Sequence, residues 1–137
     1  MMPAGRYYIG DLCYVMTDSE WGECCDLFFD GRTDHGCNQG EFQLKDGRRF
    51  ACFNTAWGDG YYRSNEDTVH PVDSGSIGCI LVSDIRGPEA SEPETLGGIM
   101  EFLQPFEVSS DEGVMQFGFV VIDTHGEEVI EDTGVEE

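Results

Sequence analysis

Basic side chains are scarce in this sequence. Seven of its 137 residues are Lys or Arg, against 28 Asp and Glu, and the formal net charge is −21 at pH 7. A domain that binds DNA or RNA needs clustered Lys and Arg to neutralise phosphates, so direct nucleic-acid binding is not expected. Self-repulsion at this charge disfavours the compact state, and the acids therefore suggest a use beyond solubility.

Long apolar runs and a leader segment are also missing. No window approaches the ~18 apolar residues that a membrane span requires, and residues 1–6 (MMPAGR) lack the apolar region of a signal peptide. We therefore expect a cytoplasmic protein. In a reducing compartment its six cysteines are expected to be thiols, and Cys52 and Cys79, which lie in apolar runs, to be buried.

Metal-binding and phosphate-binding signatures are absent. Thiolate and imidazole ligands could be drawn from Cys24, Cys25, His35 and Cys37, but no Cys-x-x-Cys pair occurs, and adjacent cysteines on a helix point about 100° apart. Residues 73–78 (DSGSIG) lack the Gly-Lys-Ser/Thr of a phosphate loop and precede a strand rather than a helix. We expect no metal and no other cofactor.

Catalytic signatures are missing as well. There is no Gly-x-Ser-x-Gly elbow and no His-Glu-x-x-His helix. Asp-His combinations can be assembled from Asp11, Asp34, His35, Asp59, His70 and Asp73, but with 28 acids some such pairs arise by chance. An enzyme stays an alternative and is not the prediction.

What the sequence does contain is the composition of a folded domain. Apolar residues make up 39% and aromatic residues 12%, which are values typical of globular proteins. A chain of 137 residues can bury roughly two-thirds of its unfolded surface without staples. We predict one domain over residues 1–137, with the acidic residues 86–137 belonging to it.

One stretch has helical periodicity. Thr17 and Glu20 form a capping-box pattern, in which each side chain accepts a hydrogen bond from the other residue's main chain. Apolar residues then recur at i, i+3, i+4 and i+7: Trp21, Cys24, Cys25 and Phe28. The pattern predicts an amphipathic helix over about residues 18–29, packed across a sheet.

The rest of the chain is β-prone. Residues 50–53 and 77–82 are apolar runs that predict two core strands, and residues 45–47 (KDG) predict a hairpin that pairs residues 41–44 with the first of them. Residues 61–63 and 69–72 predict a second hairpin. Because successive side chains on a strand alternate between faces, either Tyr61 or Tyr62 must be exposed.

The C-terminal half continues in the same way. Residues 86–94 predict a loop, and residues 114–122 (VMQFGFVVI) are the most β-like run, joined to residues 99–108 by a hairpin loop over residues 109–113. Residues 117–122 are predicted core, and a last strand is predicted around residues 129–130. The fold class is α+β: seven to nine strands in a mainly antiparallel sheet, curled or folded into a barrel or sandwich, with one helix packed on it.

Three turn motifs carry a resemblance. Gly10-Asp11, residues 58–61 (GDGY) and residues 72–75 (VDSG) resemble uncharacterised small phage and bacterial proteins and, more distantly, the DUF4241 family, which has a VDxG-type turn before a short apolar strand. The resemblance covers about residues 7–84. It implies a β-rich fold and a phage or bacterial origin, and it implies no site.

The acids are unevenly placed. From residue 64 onward Arg86 is the one basic residue against eighteen acids. This asymmetry predicts a non-enzymatic acidic protein that occupies the basic nucleic-acid-binding surface of a host protein, such as a defence nuclease, by DNA mimicry. A phage-encoded inhibitor of the anti-CRISPR or anti-restriction type, acting in the host cytoplasm, fits this description. The predicted partner-binding residues are Glu89, Glu92, Glu94, Glu101, Glu107, Asp111, Glu112, Asp123, Glu127, Glu128, Glu131 and Asp132.

Two alternatives stay open. A small-ligand module or enzyme could be centred on the turns at Asp59 and Asp73. The charge could also serve solubility alone, with the acids forming a solvated face. Mimicry predicts a loss of binding when Lys replaces Glu127, Glu128 or Glu131, whereas a ligand pocket predicts a loss with Asn at either turn aspartate.

Overall fold

The computed structural model of the chain describes residues 1–28, 40–56, 58–66, 68–86 and 97–125. These residues form a mainly antiparallel α+β fold with one α-helix, which confirms the predicted fold class. The strands are β1 (Gly5–Gly10), β2 (Gly40–Gln43), β3 (Arg49–Asn54), β4 (Gly60–Arg63), β5 (Val69–Val72), β6 (Ser76–Leu81), β7 (Gly97–Phe102), β8 (Val108–Asp111), β9 (Val114–Phe117) and β10 (Val120–Asp123). The helix α1 spans Asp18–Phe28, and two short 3-10 helices span Leu12–Tyr14 and Val82–Asp84.

A five-stranded sheet of order β2-β3-β6-β1-β7 forms the middle of the fold. The two predicted core strands, β3 and β6, pair directly, with Phe50 opposite Ile80 and Phe53 opposite Ile77. Strand β1 lies between β6 and β7 and pairs antiparallel with both. Each strand pair in this sheet is antiparallel, and the β2-β3 pair is the hairpin that residues 45–47 predicted.

Alternating side chains give the central sheet two buried faces. On β1, Tyr7 and Ile9 pack into one core, whereas Tyr8 packs into the other. The first core lies against the three-stranded sheet β10-β9-β8 and the β4-β5 hairpin, and the second lies under α1. Each large apolar side chain that is fully buried in this way contributes roughly 1.5–3 kcal/mol.

The helix begins as its sequence predicts. The main-chain N–H of Thr17 donates to Glu20 Oε1 at 2.9 Å, and the N–H of Glu20 donates to Thr17 Oγ1 at 3.1 Å, which is the reciprocal pattern of a capping box. Cys24 faces the core and is buried, and Cys25 is half-buried. The amphipathic pattern therefore places the helix on the sheet.

Both short hairpins are confirmed. The turn between β2 and β3 contains Gly47 with a φ of 100°, a conformation that glycine adopts at little cost. In the β4-β5 hairpin Tyr62 is fully buried and Tyr61 is 45% exposed. The prediction that one of the two tyrosines is exposed is confirmed, and the exposed one is Tyr61.

Three expectations for the C-terminal half are wrong in detail. The β-like run at residues 114–122 is a hairpin, β9 and β10, that turns at Gly118 with a φ of 60°. Phe119, predicted as core, is 51% exposed at this turn. The predicted loop at residues 109–113 is mostly strand β8. These splits raise the strand count in the described residues to ten, above the predicted seven to nine.

Other predicted elements lie outside the described residues. These are most of the loop at residues 86–94 and the last strand around residues 129–130. Among the residues that the structure describes, no helix is both long enough and apolar enough to cross a membrane.

Candidate interaction surface

The structure places five of the predicted partner-binding acids, and all five are exposed: Glu101, Glu107, Asp111, Glu112 and Asp123. The others lie outside the described residues: Glu89, Glu92, Glu94, Glu127, Glu128, Glu131 and Asp132. The candidate surface is therefore argued from the described acids alone.

Two of these acids share one row of the three-stranded sheet. Val114 of β9 pairs with Asp111 of β8 on one side and with Asp123 of β10 on the other. Paired residues on antiparallel strands point to the same face, and this face is outward, since both aspartates are exposed and Met115 in the next row is fully buried. With strands ~4.8 Å apart, the two aspartate Cα atoms lie roughly 10 Å apart.

A third acid projects from the tip of the same sheet. Glu112 and Gly113 connect β8 to β9 with φ angles of 52° and 91°. Positive φ at both central residues is the pattern of a type I′ hairpin turn, for which Asn-Gly is the preferred sequence. Glutamate is a poor choice for such a backbone, because its Cβ crowds the main chain. We call Asp111, Glu112 and Asp123 the acidic tip.

The backbone of Glu112 leads to a stability prediction. We expect Glu112→Asn to raise the free energy of unfolding by about 0.5–1 kcal/mol, because asparagine adopts positive φ more readily. Urea titration followed by circular dichroism measures the change. Glu107→Gln is the matched control, since it removes one exposed negative charge in the same region. Equal stabilisation by both variants would show that charge, and not the turn backbone, is responsible.

A histidine fixes one carboxylate of the acidic tip. The main-chain N–H of His125 donates to Asp123 Oδ1 at 3.0 Å, and the ring Nδ1 lies 2.9 Å from the same oxygen. These contacts, the main-chain bond first, lower the pKa of Asp123. Both side chains are exposed, so the pair adds little stability. Its effect is to keep this carboxylate ionised and oriented.

Any Lys or Arg beside the acidic tip must come from outside residues 97–125. Residues 97–125 contain no Lys or Arg. Arg6 lies opposite Glu101 in the β1-β7 register, at the far edge of the central sheet. Arg63 precedes Ser64, which bridges Ile122 of β10, and therefore lies in register with Asp123. Apart from this flanking arginine and His125, the exposed ionisable side chains of the three-stranded sheet are acidic.

The basic side chains near the β2-β3 hairpin are engaged with other acids. Arg48 pairs with Glu20 and Asp46, and Arg49 pairs with Glu41. A hydrogen bond from the N-terminal ammonium and then one from Arg49 lower the pKa of Glu41. These pairs neutralise part of the negative charge in this region, whereas residues 97–125 contain five acids and no Lys or Arg.

The turn motifs that carry the family resemblance meet at a buried carboxylate. Asp11 is fully buried, and its Oδ2 accepts the main-chain N–H groups of Asp73 and Ser74, both at 2.7 Å. Its Oδ1 accepts Ser74 Oγ at 2.8 Å and the N–H of Cys13 at 3.0 Å. Asp11 thus ties the first turn to the third, and its role in these contacts is structural.

The side chains beside Asp11 are not activated for nucleophilic chemistry. Burial, followed by a hydrogen bond with Asp11, raises the pKa of the Cys13 thiol. Burial, followed by the charges of Asp11 and Asp73, raises the pKa of Tyr14 to about 12. A catalytic thiol needs its pKa lowered, so these shifts run against a nucleophile at this position.

His70 does not form an Asp-His pair in the described structure. It is buried, and its Nδ1 lies 2.9 Å from the carbonyl oxygen of Ile9. A carbonyl accepts, so Nδ1 carries the hydrogen and Nε2 carries a lone pair. Among the described residues Nε2 has no hydrogen-bond partner. Burial lowers the pKa of His70 to about 4, so the ring is neutral at physiological pH.

Three of the five described cysteines are buried, and the other two are half-buried. Cys13, Cys24, Cys25, Cys52 and Cys79 are free, and the last two are buried as predicted. A hydrogen bond with Cys52 and then burial raise the pKa of Cys24. His35 and Cys37 lie outside the described residues, within which no group of three His, Cys, Asp or Glu side chains is placed to hold a metal ion.

Two cavities open on the described surface. One, of about 540 Å³, lies between α1 and the β2-β3 hairpin and is lined by residues such as Glu23, Leu27 and Gln43. The other, of about 580 Å³, lies beside the end of β7 and is lined by Phe102, Leu103 and neighbouring residues. Neither is lined by a residue of the Asp59 or Asp73 turns. Sequence reasoning missed the second cavity, for which the signal was a glycine inside the apolar run of residues 114–122.

Comparison with protein families, with curated proteins and with solved structures finds no match for this chain. The resemblance to the DUF4241 family stays a prediction. The function is therefore argued from the geometry and charge of the site.

Proposed function

We propose that this protein is a non-enzymatic binding protein that covers a basic nucleic-acid-binding surface of a partner protein. The acidic tip carries the proposal. Asp111, Glu112 and Asp123 are exposed at one end of a three-stranded sheet, in a stretch of residues 97–125 without Lys or Arg. Strands and a short turn hold these carboxylates in a fixed array.

The physical basis is the exchange of phosphates for carboxylates. Duplex DNA carries one negative charge per about 1.7 Å of helix axis, and proteins that bind it display Lys and Arg to match. Carboxylates pair with Arg through two parallel hydrogen bonds, as phosphates do. An acidic array also accelerates association with a basic groove through long-range attraction. A rigid row of carboxylates can thus replace nucleic acid in such a groove.

The strained turn supports a role for Glu112 in binding. A glutamate with a φ of 52° costs stability that Asn or Gly would restore. Proteins keep unfavourable backbone geometry mainly where a side chain is needed for function. We infer that Glu112 is kept for its charge at the tip.

The proposed partner class is a defence nuclease, such as a CRISPR effector, inhibited by a phage-encoded protein. Enzymes of this kind hold nucleic acid in a positively charged channel. A protein with a net charge of −21 is repelled by nucleic acid and attracted to such a channel. The proposal therefore names a protein partner and no direct nucleic-acid contact.

We expect the double variant Asp111→Asn/Asp123→Asn to bind the partner at least tenfold more weakly, which corresponds to a loss of about 1.4 kcal/mol of binding free energy. The protein is immobilised, bacterial lysate is passed over it at low salt, and bound proteins are released with salt or with added duplex DNA. Captured proteins are expected to be nucleic-acid-binding proteins that duplex DNA displaces, with affinity falling as salt rises.

Asp59→Asn/Asp73→Asn is the matched control. It also removes two exposed carboxylates, and it lies in the turns on which the alternative ligand pocket is centred. Normal binding by this control, together with loss in the tip variant, supports the proposal. Loss in the control with normal binding by the tip variant, or binding indifferent to salt and to DNA, would instead favour the pocket.

A further inference from the structure

An apolar groove lies at the other end of the three-stranded sheet from the acidic tip. Its lining combines aromatic and aliphatic side chains of the β7-β8 connection with those of the β9-β10 turn: Phe102, Leu103, Pro105, Phe106 and Phe119. Leu103 is 87% exposed and Phe119 is 51% exposed, although both are large apolar residues. The volume of about 580 Å³ is enough for a large side chain and its neighbours.

Close packing shapes the floor of the groove. The rings of Phe102 and Phe106 stack with centroids 3.8 Å apart, and the Phe119 ring lies 5.1 Å from that of Phe102. Gly118, with a φ of 60°, allows this arrangement, since a Cβ there would lie 2.7 Å from the Phe102 ring. A side chain at this position would displace the Phe102 ring from its place in the groove lining.

Hydrogen bonds fix the turn that displays Phe119. Asn65 Nδ2 donates to the Phe119 carbonyl oxygen at 2.9 Å, and the N–H of Gly118 donates to the Glu107 carbonyl oxygen at 2.9 Å. The main chain on both sides of the exposed ring is therefore tied to other elements. A preorganised apolar side chain loses little conformational entropy on binding.

Charge selects the occupant of the groove. Glu101 lines it, and Glu107 lies beside Gly118; both are exposed. Arg6, opposite Glu101, compensates part of this charge, but residues 97–125 contain no Lys or Arg. A second copy of the chain would bring another −21 charges, and an anionic membrane would be repelled. The groove thus suits a cationic protein segment that carries an apolar anchor.

We propose that the groove binds one large apolar side chain of the partner, from a segment in which Lys and Arg flank a Leu- or Trp-sized residue. This inference rests on the proposed function, because it supplies the apolar contact of the same basic partner. β9 is three residue steps long, roughly 10 Å, so one partner segment can reach both the groove and the acidic tip. The apolar anchor fixes the register, and the carboxylates supply attraction.

Two synthetic peptides of equal charge test the inference. KRKLWLKRK carries an apolar centre and KRKSGSKRK a polar one. We expect the apolar peptide to bind at least tenfold more tightly by calorimetry, and to shift the amide resonances of residues 102–106 and 118–119. Leu103→Ser/Phe119→Ser is expected to reduce this advantage to less than twofold while leaving the affinity for the polar peptide unchanged. Leu103→Ser alone, at a highly exposed position, gives a second variant that does not threaten the fold.

The outcomes separate this inference from the proposed function. Equal affinities for the two peptides, an advantage that survives in both variants, or a Leu103-dependent dimer without peptide would overturn the apolar anchor and leave the acidic proposal standing. If Asp111→Asn/Asp123→Asn weakens both peptides by the same factor, the tip supplies the charge term. If it weakens neither, the proposed function fails, whatever the groove does.

Discussion

Asp11→Asn is expected to lower the free energy of unfolding by about 3 kcal/mol. The carboxylate is fully buried and accepts hydrogen bonds from the N–H groups of Cys13, Asp73 and Ser74 and from the Ser74 hydroxyl. An amide has one accepting oxygen and one donating nitrogen, so either orientation turns a donor toward donors. Hydrogen bonds to charged groups contribute about 1.5–3 kcal/mol each, and buried donors left without an acceptor add a penalty.

Urea titration by circular dichroism and tryptophan fluorescence measures this loss. Asp59→Asn is the control, because it removes a charge from the adjacent turn at an exposed position and is expected to change stability by less than about 0.5 kcal/mol. A stability of Asp11→Asn within 1 kcal/mol of the wild type would mean that this carboxylate does not hold the turns together.

Protonation of His70 in the unfolded state is expected to lower the free energy of unfolding by about 3 kcal/mol as the pH drops from 6.5 to 4. The unfolded ring has a pKa near 6.5, whereas burial lowers the pKa of the folded ring to about 4. Between these values the unfolded state binds a proton that the folded state does not, so lower pH favours unfolding. A difference of one pKa unit between the folded and unfolded states corresponds to about 1.36 kcal/mol. Above pH 6.5 the ring is neutral in both states, and no stability is lost through it.

A variant isolates this contribution from the titration of the carboxylates. In His70→Asn the amide nitrogen can donate to the Ile9 carbonyl oxygen in place of Nδ1. The asparagine side chain does not titrate. Urea titrations at several pH values should therefore show a steeper loss for the wild type than for His70→Asn. Parallel curves between pH 6.5 and 4 would show that the folded ring accepts a proton without penalty.

Local signals predicted the local structure. The Thr17-Glu20 capping box and the Asp-Gly turn between β2 and β3 each use hydrogen bonds or backbone preferences within a few residues. Strand alternation alone predicted that one of Tyr61 and Tyr62 is exposed, although not which one. Such features need no knowledge of distant parts of the chain, which is why they could be read from the sequence.

Features that depend on distant contacts were predicted less well. The run at residues 114–122 is β-like throughout, because both β9 and β10 bury one face in the same core. Gly118 was its one sign of a turn, and the positive φ that makes the turn is a property of the folded backbone. The acids of the tip were predicted as binding residues, but their shared row depends on the register of β8, β9 and β10. The structural role of Asp11 depends on residues more than sixty positions away.

The position of β1 between β6 and β7 determines when the chain can fold during synthesis. Gly5 pairs with Phe102 and Tyr7 with Leu81, so the first strand emerges from the ribosome long before either neighbour exists. Until then its apolar residues, Tyr7 and Ile9 among them, have no sheet to enter. Contacts between such distant segments require costly loop closure, which makes folding slow. Residues 1–63 carry ten acids against six basic residues, so most of the negative charge that resists aggregation is added only when the C-terminal half is synthesised.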